Sequence, residues 1–204
     1  SGEITNIPFL KKIAKFNKKI ILSTGMSNNE EIEYAIKIIL SGGTKRNNIT
    51  LLQCTSSYPT PMGDVNLRVM DMMKKRYSLE VGLSDHTMGV GASIAAIAHG
   101  ATVIEKHFTL KRSDGGVDST FSLEPEEMKN LVIETERAWL SLGNINYGTS
   151  ESEKSSLKFR RSLYFTKDIK AGELITNQNL KIIRPGLGLP PKYYEILLGK
   201  QLKR

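Results

Sequence analysis

The chain has 204 residues, 39% of them apolar and 25% charged, with a formal net charge of +8. That composition excludes a disordered segment, and no apolar run approaches the roughly 20 residues that a membrane-spanning helix requires. A single cysteine, Cys54, excludes an intrachain disulfide and suits a reducing compartment, so the expectation is a soluble, cytoplasmic protein with no membrane partner.

The chain opens on Ser1-Gly2-Glu3 and a helical pattern, IPFLKKIAKF, with no strand before it, as though a strand had just ended. Four short runs follow, KKIILSTG (18–25), NITLLQC (48–54), SLEVGLS (78–84) and ATVIEKHF (101–108). They are β-branched or Leu-rich with little polar alternation, the pattern of strands buried on both faces. Helical patterns fill the gaps. NNEEIEYAIKIILSGG offers Asn28 or Asn29 as N-cap, acids in its first turn and Gly42 at its close. VNLRVMDMMKKRY (65–77) and GASIAAIAHG (91–100) occupy the next two gaps, and residues 124–143 form a fourth helix with Pro125 at its first position. This alternation predicts right-handed crossovers and a parallel α/β sheet, either half of a (β/α)₈ barrel or a small doubly wound domain.

Near Tyr147 the texture changes. YGTSESEKSS is polar and reads as a linker over residues 147–157, separating a parallel unit of residues 1–146 from a small β-rich unit of residues 158–204. The charge divides along the same line. Residues 1–150 hold 17 Lys and Arg against 16 Asp and Glu, while residues 151–204 hold 12 against 5. An anionic small molecule or an acidic partner fits that excess, but nucleic acid does not, because the basic residues are scattered and no stacking aromatics accompany them.

Catalytic groups of parallel α/β proteins gather at the carboxyl ends of the strands. Those ends read Ser23-Thr24-Gly25, Thr55-Ser56-Ser57-Tyr58, Ser84-Asp85-His86-Thr87 and Glu105-Lys106-His107. Neighbouring strands lie about 4.8 Å apart, so His86 and His107 can converge on one divalent ion. Two imidazoles without thiolates favour a borderline ion that keeps open positions, acting as a Lewis acid or as an activator of water. Asp85 and Glu105 either orient these histidines or face the helices, and the residue types alone leave both open. Asp118, in the Gly-flexed loop DGGVD, is placed to bind hydroxyls or move protons. The hydroxyls of Ser23, Thr24, Ser56 and Ser84 can bind phosphate or carboxylate oxygens, or cap the helices that follow. Tyr58-Pro59-Thr60-Pro61 either walls a pocket or stiffens a loop.

SGEITNIPFL, IILSTGM, LLQCTSSYPTP, VGLSDHT, VIEKHFTLKRSDGG and FSLEPEE, in this order, resemble the sialic acid synthase family, whose members make nonulosonic acids from phosphoenolpyruvate and an amino-hexose. The resemblance implies an α/β architecture: the second half of a (β/α)₈ TIM barrel followed by a small antifreeze-like (SAF) domain, to which RRSLYFTKDIKAGELIT and RPGLGLPPKYYEILLGK are similar. It also implies a Mn²⁺ or Mg²⁺ ion on His86 and His107, phosphoenolpyruvate near Ser1, Ser56 and Ser84, and the amino sugar near Glu3, Tyr58 and Asp118. Glu3 and Asp118 are the implied catalytic residues. Arg184, in IIRPG, would reach the sugar across a domain-swapped homodimer. The implied reaction is attack of the phosphoenolpyruvate methylene on the open-chain aldehyde, then addition of water and loss of phosphate.

Among the sugars, RSDGGVDSTFSLEPEE, FRRSLYF and GLGLPPKYY look most like pseudaminic acid synthases, acting on 2,4-diacetamido-2,4,6-trideoxy-altrose, and SGEITNIPF looks more like the neuraminate and legionaminate branches. The family's first barrel strands have no counterpart here, so these 204 residues alone are expected to bind metal weakly and to turn over no substrate. Two rivals remain. One is a non-catalytic glycan-binding module with structural histidines. The other is a half-barrel aldolase, whose nearest Schiff-base candidate, Lys106, strand alternation turns toward the helices.

Overall fold

The computed structural model describes residues 2–203. They fall into two compact units that divide between Asn144 and Ile145. No helix among the described residues is long and apolar enough to cross a membrane.

The first unit alternates helix and strand: α1 (Ile7–Ala14), β1 (Ile20–Ser23), α2 (Asn29–Ser41), β2 (Ile49–Cys54), α3 (Arg68–Tyr77), β3 (Glu80–Asp85), α4 (Gly91–Ala98), β4 (Ala101–Lys106) and α5 (Pro125–Leu142). The four strands form one parallel sheet in the order β1-β2-β3-β4. Local chemistry marks the helix starts. Asn28 and Glu31 exchange hydrogen bonds in a capping box at α2, Glu124 and Glu127 do the same at α5, and Pro125 takes its first turn. α3 starts three residues later than the apolar pattern predicts, because Asn66 is left-handed (φ 51°) and no helix runs through that conformation.

Alternation along the strands sorts the side chains onto two faces. Ile20, Leu22, Ile49, Leu51, Val81 and Leu83 meet Ile36 and Ile39 of α2 and Met70 and Met73 of α3 in the core between sheet and helices. On the opposite face, the parallel registers align Ser23, Leu52, Gly82 and Val103 in one row and Cys54, Ser84 and Glu105 in the next. Gly82 is required in the first row, since a Cβ there would lie 2.3 Å from the Val103 carbonyl oxygen and 2.7 Å from Leu52 Cδ2. The β3–β4 ladder shifts register between Val81 and Gly82. Stacked rows of this kind fill the interior of a (β/α)₈ barrel, and four parallel strands are half of one.

In the second unit, residues Glu151–Phe159 wind into a 3₁₀ helix opened by a Ser150/Glu153 capping box, overlapping residues 147–157, which composition alone reads as a linker. β5 (Ser162–Phe165) and β6 (Leu180–Ile183) pair antiparallel, and the single-turn α6 (Tyr194–Leu197) follows. Leu163, Ile175 and Leu180 form a small core against Ile169, Ile182, Tyr194 and Leu197. Backbone bonds stitch the loops, among them Ile175 N–H to the Lys200 carbonyl and Gly172 N–H to the Leu202 carbonyl, both 2.8 Å.

Candidate active site at the carboxyl ends of the strands

The row Cys54-Ser84-Glu105 and the next pair outward, His86 and His107, line one cavity of about 400 Å³ together with Glu3, Tyr58 and Ser23. The two imidazoles stand edge to face with centroids 5.1 Å apart. Tyr58 packs its ring 4.4 Å from His86 and 5.9 Å from His107, and Phe121 sits 5.0 Å from His107. The imidazoles are therefore bounded by aromatic faces that limit their rotation.

Each histidine is held at Nδ1. His86 Nδ1 lies 3.0 Å from the Thr55 carbonyl oxygen, a group that only accepts, so the neutral ring carries its proton on Nδ1 and leaves Nε2 its lone pair. His107 Nδ1 is 3.5 Å from Asp118 Oδ2. A hydrogen bond with Cys54 raises the His86 pKa; burial opposes it, and the Thr55 carbonyl adds to it. For Cys54, burial acts to raise the thiol pKa, but hydrogen bonds with His86, Ser23 and Ser84 prevail and lower it to about 7.

Strand alternation resolves the choice left open for the two acids. Glu105 faces the cavity, where Ser84 Oγ donates to its Oε1 at 2.6 Å. Asp85 faces the helices, where Ser93 Oγ of α4 donates to its Oδ2 at 2.5 Å. Lys106 is turned to that same side and pairs with Asp85, which removes it as a cavity nucleophile.

Of the expected site residues, Glu3, Tyr58, Ser84, His86 and His107 share the cavity, and Asp118 adjoins it through His107. Glu3 accepts a 2.6 Å hydrogen bond from Asn6, the N-cap of α1. Ser56 Oγ lies 4.0 Å from Sγ of the cavity residue Cys54. Arg184 belongs to the second unit, exposed just after β6. Ser1 lies outside the described residues. The residue-type reading passed over Cys54 as a site residue, although its place two positions before Ser56, at the end of its strand, was the available signal.

The donor set suits a divalent ion that retains free positions. Two imidazoles about 5 Å apart, one with its tautomer set by a carbonyl, are borderline nitrogen donors. Among the described residues no group of three or more His, Cys, Asp or Glu forms a complete metal-binding set.

Comparison with known proteins fits this geometry. Residues 1–147 match the NeuB family and residues 160–204 match the SAF domain. The chain is 50% identical, over 98% of its length, to the N,N'-diacetyllegionaminic acid synthase of Campylobacter jejuni, and covers 60% of that protein. It is 41% identical over its whole length to the pseudaminic acid synthase of the same organism, covering 59% of it. The chain thus spans about 60% of the length of these curated relatives. Among solved structures it is similar to the N-acetylneuraminic acid synthetase of Leptospira borgpetersenii in complex with citrate, with a TM-score of 0.70, 37% identity, and coverage of 78% of this chain and 54% of that one.

Proposed function

The chain belongs to the NeuB family, and from that premise we propose that it carries the metal-binding side of a nonulosonic acid synthase, an enzyme that condenses phosphoenolpyruvate with an N-acylated amino-hexose. The observation behind this reading is the convergence of His86 and His107, 5.1 Å apart, in a cavity that also holds a carboxylate and a hydroxyl. Mn²⁺ or Mg²⁺, when bound there, supplies Lewis acidity to a carbonyl oxygen.

The chain's own residues supply the rest. Thr55 and Asp118 orient the imidazoles, Tyr58 packs against both, and Phe121 packs against His107. Ser84, with Glu105 behind it, offers the phosphoenolpyruvate oxygens a hydroxyl whose direction is already set. Asp118 and Glu3 bind sugar hydroxyls or move protons at them. The carbon–carbon bond forms between the phosphoenolpyruvate methylene and the sugar aldehyde, water adds to the adjacent carbon, and phosphate leaves. Arg184 serves the sugar in a domain-swapped homodimer, and the setting is the cytoplasm.

Two sugars stay in play. The motifs around Asp118 favour the pseudaminate precursor, whereas the 50% identical relative is a diacetyllegionaminic acid synthase. Joined to the part of the relatives that it does not match, the chain should release phosphate from phosphoenolpyruvate with one of these two precursors and not the other. By itself it should release none. The metal reading is tested directly by titrating Mn²⁺ into the wild-type chain and into His86→Ala/His107→Ala, with binding expected only in the first. A wild-type chain indifferent to Mn²⁺ would overturn the reading and favour the non-catalytic glycan-binding module.

A further inference from the structure

Directly behind the two histidines, on the helix side of the sheet, lies a second polar cluster that no step of the chemistry uses. Lys106 Nζ is 2.9 Å from Asp85 Oδ2, and the two side chains are 1% and 0% exposed. Lys106 Nζ also donates to the Thr87 carbonyl oxygen at 2.8 Å. Asp85 accepts from the Thr87 backbone N–H at 2.8 Å through Oδ1 and from Ser93 Oγ at 2.5 Å through Oδ2. Burial acts to raise the Asp85 pKa, but the bonds from Ser93, Lys106 and Thr87 outweigh it and hold the carboxyl below its usual range.

The arrangement matters because of its place in the chain. Asp85 and Thr87 flank His86, and Lys106 immediately precedes His107. Asp85 and Lys106 are register partners across β3 and β4, so the next step outward on each strand is a histidine. One ammonium group thus grips the residues on both sides of His86 from the position next to His107. Ser93 ties the same carboxylate to α4. A buried charge pair is a poor way to gain stability, since apolar residues of similar volume do as well or better. It is a good way to fix one geometry, because every donor and acceptor loses its partner if the strands slip.

We propose that Asp85 and Lys106 are positioning residues, which set the separation and backbone orientation of His86 and His107 and thereby the affinity of the site for a divalent ion. This rests on the metal reading of the histidine pair. The test uses the 204-residue chain, with Mn²⁺ binding followed by the loss of the free-ion electron paramagnetic resonance signal and the site geometry followed by the visible absorption of bound Co²⁺. The double variant Asp85→Leu/Lys106→Met removes both charges and keeps the volume. It should remain folded by circular dichroism, yet bind Mn²⁺ about 10- to 100-fold more weakly, with an altered Co²⁺ spectrum.

If that variant does not fold, Asp85→Asn, which preserves volume and cancels the charge, is read by the same two signals. A folded variant that binds Mn²⁺ with wild-type affinity and an unchanged Co²⁺ spectrum overturns the proposal while leaving the metal site standing. A wild-type chain that binds neither ion overturns the metal reading itself, and this proposal with it.

Discussion

The two units of the chain solve the problem of holding a fold together in different ways. In the first, β2 and β3 are buried along nearly their whole length, and Ile39, Ile49, Leu51, Met70, Met73 and Leu83 are shut off from solvent completely. In the second, the buried apolar cluster comprises Leu163, Ile175 and Leu180, and the loops depend on backbone hydrogen bonds made across the unit. Burial is worth about 25 cal/mol for each Å² of apolar surface removed from water, so the first unit has reserve and the second has little. The candidate cavity sits on the parallel sheet of the first unit, while the excess positive charge sits on the second, whose surface is mostly exposed.

Truncating one core side chain in each unit should break the comparison open most visibly. Leu180→Ala, which costs about 2–5 kcal/mol at a buried site, removes one of three side chains from its cluster. The slow amides of β5 and β6 should then lose their protection, with the first unit unaffected in hydrogen exchange followed by mass spectrometry. Leu51→Ala carries the same cost of about 2–5 kcal/mol but is spread over a large core, so the first unit should stay folded with a lower denaturant midpoint. Equal loss of protection from both changes would refute the contrast.

A smaller effect sharpens it. Gly82→Ala brings a Cβ to 2.3 Å from the Val103 carbonyl oxygen, and should lower the first unit's stability by about 1–3 kcal/mol, read from the denaturant midpoint. A midpoint unchanged by this alanine would show that β3 and β4 can part without penalty. Smallest is Asn28→Ala, which removes the side-chain half of the α2 capping box. It should cost about 1 kcal/mol by the same measurement, with faster exchange confined to the first turn of α2.

Much of the first unit was legible because its signals are local. The four apolar runs became four strands in chain order, and Asn28 and Pro125 took the helix-start positions that their chemistry favours. Convergence of His86 and His107 followed from both lying at strand ends. The roles of Asp85 and Glu105 were harder, because a carboxylate beside a histidine reads the same on either face. Counting by twos from each histidine would have separated them: Ser84 and Glu105 share the histidines' side, Asp85 and Lys106 the other. The late start of α3 depends on one left-handed residue, Asn66, which hydrophobic spacing does not register. Residues 147–157 looked like a linker for their polarity, although Ser150 and Glu153 already spelled a capping box for the 3₁₀ helix Glu151–Phe159. In the second unit the texture announced a small β-rich fold, but pairing β5 with β6 joins segments some fifteen residues apart, and neither run specifies its partner.

The order β1-β2-β3-β4 leaves the described sheet with two outer strands, and Ile21 in the middle of β1 is 49% exposed. Strand margins with free amides and carbonyls recruit whatever extended peptide comes near. The expected outcome for the isolated chain is self-association that rises with concentration, read by analytical ultracentrifugation. Dilute preparations, or the addition of a complementary polypeptide that caps both margins, should keep the chain monodisperse.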